Sequence, residues 1–258
     1  MTLSNPCDLS GHTALVTGSS RGIGKATALT LAAAGAKVVV TSRNLEACEA
    51  VVAEIETEGG QALAVACNVS SQEQVEALVQ ESQQKLGNIS ILVCNAATNP
   101  AYGPMSGLDK NAFNKIMETN VVANIHLINL VAPIMSEIGG GSIILLSSIA
   151  GIMGSKTIGA YAISKAADIQ LARNYAVDLG RQNIRVNAIL PGLIRTDFSE
   201  VLWEGERGKR FIEQTPLGRL GEANDIAGVA LFLASEASKF VTGQGIVADG
   251  GVMISDPF

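Results

Sequence analysis

Short runs of Val, Ile, Leu and Ala recur along the chain, separated by segments whose apolar positions return with helical spacing. Seven runs predict strands: His12–Thr17, Lys37–Thr41, Ala62–Cys67, Ile89–Cys94, Ser142–Ser147, Ile184–Ile189 and Gly245–Ala248. Most are continuous rather than alternating, as expected of strands covered on both faces. The segments between them predict helices over 23–34, 45–57, 71–86, 109–137, 157–180 and 223–235. In the second, Val51 and Ile55 belong to an apolar stripe with Glu residues outside it. In the third, Ser70 and Glu73 have capping-box spacing, and Gly87 stands where the helix should stop.

Strand–helix alternation over the whole length predicts an α/β fold, a doubly wound and mostly parallel seven-stranded sheet in one domain spanning 1–258. No linker, repeat or low-complexity block divides it. The chief irregular stretches, 95–108 and 191–222, each follow a strand, and ligands in such sheets bind beyond the carboxyl ends of the strands. The second stretch mixes Phe198, Trp203, Phe211, glycines and charges, which suits a mobile loop over a substrate.

Composition narrows the functional classes. A net charge of −6 argues against bulk electrostatic binding to nucleic acid or to an anionic membrane, and the one basic cluster, 205–210, reads as a solvated loop. Cys7, Cys48, Cys67 and Cys94 are scattered without a Cys-x-x-Cys pair, which predicts reduced thiols and a cytoplasmic setting. His12 and His126 lack ligand spacing, so no metal site is expected. The start of the chain lacks the basic and apolar regions of a signal peptide, and no apolar run reads as long enough to cross a bilayer.

The first predicted strand runs into Thr17-Gly18-Ser19-Ser20-Arg21-Gly22-Ile23-Gly24 and then an Ala-rich helix. Glycines there let the backbone turn tightly and approach a pyrophosphate at the helix N-terminus. The second strand ends Thr41-Ser42-Arg43-Asn44. Ser42 takes the place where an acidic residue would bind a free adenosine ribose. Arg43 and Arg21 are instead suited to a 2′-phosphate, which favours NADP(H) over NAD(H). Farther on, Tyr161 and Lys165 stand one helical turn apart on one face. A cation held near a phenol favours its ionised form and is expected to lower its pKa.

Together these features resemble the short-chain dehydrogenase/reductase family, from Leu9 to Gly251. Thr17–Gly24 matches the family's cofactor turn, Asn95-Ala96-Ala97 is similar to its Asn-Ala-Gly element, and Asn120, Ser148, Tyr161 and Lys165 match its catalytic tetrad. Pro191-Gly192, with Ile194 and Thr196 beyond, resembles the segment that contacts the nicotinamide carboxamide. The resemblance implies a Rossmann-type sheet and cofactor contacts from Gly18, Ser20, Arg21, Ile23, Ser42, Arg43, Asn44, Asn68, Val69, Asn95, Ala96, Tyr161, Lys165, Pro191, Gly192, Ile194 and Thr196, with Asn95 largely structural. It implies that Tyr161 exchanges a proton with the substrate oxygen and that Ser148 holds that oxygen. Lys165 would tune Tyr161 and bind the nicotinamide ribose, and Asn120 would bend its helix and place a water that leads protons out through Lys165. Two departures stand out: Asn68-Val69 replaces the usual Asp-Val, and Ala97 replaces Gly.

The expected function is therefore NADP(H)-dependent hydride transfer between the nicotinamide and a carbonyl or secondary alcohol. The alternative is a nucleotide-binding regulatory protein with vestigial catalysis. An enoyl reductase on the same scaffold is disfavoured, because such relatives separate Tyr and Lys by more residues. Thr98, Ile149, Ile152, Thr157, Leu193, Phe198 and Trp203 are expected around the substrate and point to an apolar ketone. The resemblance also implies a homotetramer, built through the helices of Asn120 and Tyr161 and through the last strand.

Overall fold

All seven predicted strands form one sheet, in the order β3-β2-β1-β4-β5-β6-β7, and every neighbouring pair is parallel. In the computed structural model, which describes residues 5–255, they are β1 (Thr13–Thr17), β2 (Lys37–Ser42), β3 (Gln61–Ala66), β4 (Ile91–Cys94), β5 (Gly141–Leu146), β6 (Ile184–Pro191) and β7 (Gly245–Ala248). The first residues of the start read above for a leader lie outside the described range. The helices are α1 (Gly22–Ala33), α2 (Leu45–Thr57), α3 (Gln72–Leu86), α4 (Lys110–Met117), α5 (Ala123–Glu137), α6 (Gly159–Leu179), α7 (Glu200–Trp203), α8 (Gly205–Gln214) and α9 (Ala223–Ala234).

The two-residue period of a strand sorts its side chains into two cores. Leu15, Val39 and Leu92 face one way, into a cluster with Val75, Leu127, Ile128 and Ile169 of α3, α5 and α6. Ala14, Val16, Val38 and Val40 face the other way, against Leu31, Val51, Ile55, Ile226 and Leu233 of α1, α2 and α9. Both sides are covered, which is why the strands read as unbroken apolar runs.

Three expectations are corrected. The N-cap of α3 is Ser71, whose hydroxyl accepts from the Gln74 amide at 3.4 Å. Ser70 meets Thr119 instead, because the Asn68 side chain bends the preceding turn by accepting from the Ser70 amide. The predicted helix 109–137 is α4 and α5 joined by a π-helical turn over Glu118–Val122, which carries Asn120. That continuous helix, Lys110–Glu137, is also long and apolar enough to cross a membrane by length and composition, contrary to expectation. Its apolar side belongs to the core beside β4, β5 and α3, so burial inside the protein accounts for the composition.

Candidate active site

The carboxyl ends of β1, β2, β4, β5 and β6 open into one cleft of about 940 Å³. Every cofactor residue expected from the sequence lines it, as do Ser148, Tyr161 and Lys165 of the tetrad. The topology explains this convergence. The chain order reverses at β1, whose neighbours β2 and β4 feed crossovers on opposite sides, and the crevice forms there.

At one end lies the glycine turn. Gly18 and Gly22 take positive φ (63° and 56°), which only glycine adopts freely. A Cβ on Gly24 would collide with the Gly18 carbonyl and the Asn95 amide, so the turn can pack this tightly only without one. Asn95 fastens the turn from β4: its Nδ2 donates to the carbonyls of Thr17 (2.8 Å) and Gly18 (3.1 Å). This is the structural role anticipated for it. The open backbone and the N-terminus of α1 fit a dinucleotide pyrophosphate.

Arg43 and Arg21 flank the cleft differently. Arg21 reaches across to Asp197 of the 191–222 segment (3.3 Å), with both side chains largely exposed. Arg43 is exposed and makes no ion pair among the described residues. Asn44 caps α2 through its Oδ1 on the Ala47 amide (3.1 Å), and the Ser42 hydroxyl accepts from the Asn44 amide. Both sit on the cleft wall, but their side chains are already engaged in shaping the strand–helix turn. Asn68 likewise commits its Oδ1 to the Ser70 amide (3.2 Å).

At the other end stands Tyr161, in the first turn of α6, its ring 6.1 Å from that of Phe198. The Lys165 ammonium lies 5.6 Å from the Tyr161 ring centroid and donates to the Leu146 carbonyl (2.6 Å) and to Asp168 (2.9 Å). Ser148 follows β5 and turns its hydroxyl to the Ala150 amide (3.1 Å). Asn120 is fully buried behind these groups. Its amide accepts from the Thr98 N–H (2.8 Å) and donates to the Thr98 carbonyl (3.1 Å) and to Ser164 (3.0 Å).

The expected lowering of the Tyr161 pKa is corrected. Burial raises it above the ordinary tyrosine value, with Asp168 and Tyr102 adding to the rise. Lys165 and the nearby Ser148 hydroxyl pull it down without cancelling that rise. Burial also works against the Lys165 ammonium, yet Asp168 and Tyr161 hold its pKa above the ordinary lysine value.

Of the residues expected around a substrate, Thr98, Leu193 and Phe198 line the cleft. Ile149 is buried in the core, and Ile152 and Thr157 lie outside the lining. Trp203 turns inward to its own segment, its indole N–H donating to the Thr196 carbonyl (3.1 Å), and Leu202 takes the place on the cleft wall. Asn99, Tyr102 and Ile158 complete that wall. They sit in irregular segments with no periodicity to announce which way they face.

Comparison with known proteins agrees with this fold. A family model described as enoyl-(acyl carrier protein) reductase matches residues 18–253. The chain is 43% identical over 246 residues to 7alpha-hydroxysteroid dehydrogenase of Escherichia coli (strain K12), covering 94% of each protein. It is 39% identical over 252 residues to dehydrogenase/reductase SDR family member 4 of Rattus norvegicus, covering 97% of this chain and 90% of that one. Among solved structures, 7 alpha-hydroxysteroid dehydrogenase complexed with NADH and 7-oxo glycochenodeoxycholic acid superposes with a TM-score of 0.94 at 42% identity, covering 97% and 98% of the two chains. A gluconate 5-dehydrogenase from Burkholderia cenocepacia J2315 in complex with NADP and tartrate gives 0.92 at 32% identity, with 97% and 98% covered. This protein belongs to the short-chain dehydrogenase/reductase family of oxidoreductases.

Proposed function

We propose that the protein is an NADP(H)-dependent carbonyl reductase, reversible as an alcohol dehydrogenase, acting on an apolar ketone. The observation that carries this reading is the placement of Tyr161, Ser148 and Lys165 at one end of a cleft whose other end is the glycine turn with Arg43 beside it. The nicotinamide supplies or accepts the hydride at the carbonyl carbon. In reduction, Tyr161 gives its phenolic proton to the carbonyl oxygen, while Ser148 holds that oxygen in hydrogen-bond reach. The phenolate then regains a proton from solvent by way of Lys165. Because Tyr161 is held above the ordinary tyrosine pKa, it remains protonated, and thus a working acid, through neutral pH. Asn120 supports the group from behind by fixing the Thr98 backbone and Ser164.

The cofactor preference rests on charge. No carboxylate stands at position 42 to repel a 2′-phosphate, and Arg43 is the cation at that corner without an ion pair among the described residues. Relatives are found with NADH and with NADP, so the preference belongs to these residues and not to the fold. Purified protein should oxidise NADPH when offered a panel of apolar ketones and diketones. Turnover of conjugated enoyl substrates alone would favour enoyl reduction, and none with any partner would favour a vestigial site. Arg43→Asp should shift the ratio of kcat/KM for NADPH over NADH by about 10- to 100-fold toward NADH, since an Asp repels the phosphate and accepts ribose hydroxyls. An unchanged ratio removes Arg43 from cofactor choice.

The 191–222 segment forms the substrate loop in this reading, bringing Leu193, Phe198 and Leu202 to the cleft. Exposed apolar side chains on α6 (Ile163, Val177) and near the chain end (Phe240, Val247, Ile254) support a homotetramer. Light scattering at micromolar concentration should give four times the chain mass, and a monomer there would refute the assembly. The scattered cysteines, all free, support a cytoplasmic setting.

A further inference from the structure

Asp168 lies on α6 with no exposed surface, and the proposed reaction leaves it without a task. Its Oδ2 accepts from Lys165 Nζ at 2.9 Å and its Oδ1 from Asn124 Nδ2 at 3.1 Å. The same Asn124 nitrogen donates to the carbonyl of Asn120 at 2.7 Å, within the π-helical turn. Asn120 in turn meets Ser164, whose hydroxyl donates to the Tyr161 carbonyl at 2.7 Å. A chain of hydrogen bonds therefore runs from Lys165 through the Asp168 carboxylate, Asn124, Asn120 and Ser164 to the backbone of Tyr161.

Burying a carboxylate and an ammonium together is commonly no better for stability than packing two apolar side chains. Packing alone gives no reason for Asp168 at this position. We propose that Asp168 is a positioning residue for the proton transfer: its carboxylate clamps Lys165 between itself and the Leu146 carbonyl, ties it through Asn124 to the turn bearing Asn120, and its charge opposes the pull of Lys165 on the Tyr161 phenol. The proposal rests on the acid–base role of Tyr161 given above.

The ammonium has three N–H donors; Leu146 and Asp168 take two, leaving one for a ligand in the cleft. The electrostatic consequence has a definite sign. The Tyr161–Lys165 pair carries one positive charge before it loses a proton and none after. A neighbouring carboxylate makes that loss harder whichever group releases the proton. Asp168 therefore keeps Tyr161 an acid to higher pH, which suits carbonyl reduction and moves alcohol oxidation toward alkaline pH. The other titratable groups facing this cluster do not oppose that sign. Cys94, at the end of β4, has its thiol pushed well up by burial and stays neutral, and Tyr102 acts on Tyr161 in the same direction as Asp168. From α5 and the π-helical turn, the neutral amides of Asn124 and Asn120 contact the cluster, while Glu118 of that turn is exposed to solvent.

The test is Asp168→Asn, nearly isosteric and still able to accept from Lys165. Two quantities should move to lower pH by about one pH unit: the rising limb of kcat/KM for alcohol oxidation, and the Tyr161 phenolate step in an ultraviolet difference titration of the cofactor-free protein, identified by its loss in Tyr161→Phe. If Asp168→Asn does not fold, Asp168→Ser, which leaves room for a water at Lys165, carries the same expectation. Asn124→Leu keeps every charge and should leave the limb in place while lowering kcat. An unmoved limb in the Asp168 variants, or an equal movement in Asn124→Leu, overturns the proposal. Wild-type activity in Tyr161→Phe would instead overturn the underlying reading of the site, so the two failures are distinguishable.

Discussion

Tyr161→Phe should lower turnover of every accepted carbonyl by about 10²–10⁴-fold, the range that a positioned general acid contributes. The substitution removes one oxygen and keeps the ring, so the contact with Phe198 at 6.1 Å and the first turn of α6 should persist. NADPH affinity, measured by fluorescence titration, is expected to stay close to the wild-type value, because the glycine turn and Arg43 lie at the other end of the cleft. A parallel loss of binding and turnover would mean that the hydroxyl organises the site and does not act in the chemistry. Normal turnover would remove Tyr161 from the reaction. In the wild-type enzyme, reduction should fall as pH rises through the Tyr161 pKa, which burial holds above the ordinary value, and oxidation should rise over the same span.

Lys165→Met should be damaging twice over. Activity should fall because the cation beside the phenol is gone. Folding stability should also fall, by roughly 3–5 kcal/mol, because Asp168 would be left as a buried carboxylate without its partner. Urea unfolding at neutral pH measures this directly. Protonation of Asp168 relieves the penalty, so the loss should shrink as pH falls. The double variant Lys165→Met with Asp168→Leu should recover most of the stability and none of the activity. If Lys165→Met unfolds with wild-type energetics, the Lys165–Asp168 pair is not the buried unit described above.

The strands were legible because both faces of the sheet are covered, which writes each one as an apolar run, and glycine turns punctuate them. Boundaries moved by a residue or two where sheet pairing, not side-chain character, sets the end, as in β6, which extends to Pro191 opposite Ala248. The π-helical turn around Asn120 has no composition of its own, and only the family resemblance pointed to a bend there. The cap of α3 shifted from Ser70 to Ser71 because a nearby Asn side chain competes for the Ser70 amide.

For the site, local spacing was enough wherever one element supplies the whole feature. The glycine turn, the Ser42-Arg43 corner and the Tyr161–Lys165 step are of this kind, and all line one cleft. The substrate wall was only half readable. Trp203 was expected on it as one of several apolar residues, yet its N–H finds the Thr196 carbonyl, and Leu202 lines the cleft instead.

The sequence by itself determined the sheet, through periodicity, and the family, through motifs in a fixed order, and that resemblance named the residues proposed to bear the chemistry. Tertiary structure alone decided the electrostatics. Asp168 stands three residues from Lys165 in the chain, an ordinary helical ion pair on paper. Packing against the end of the sheet removes water from both groups and brings Asn124 onto the carboxylate. Desolvation and charge acquire their strength from burial, which no local pattern encodes, and they reverse the direction in which Tyr161 was expected to move.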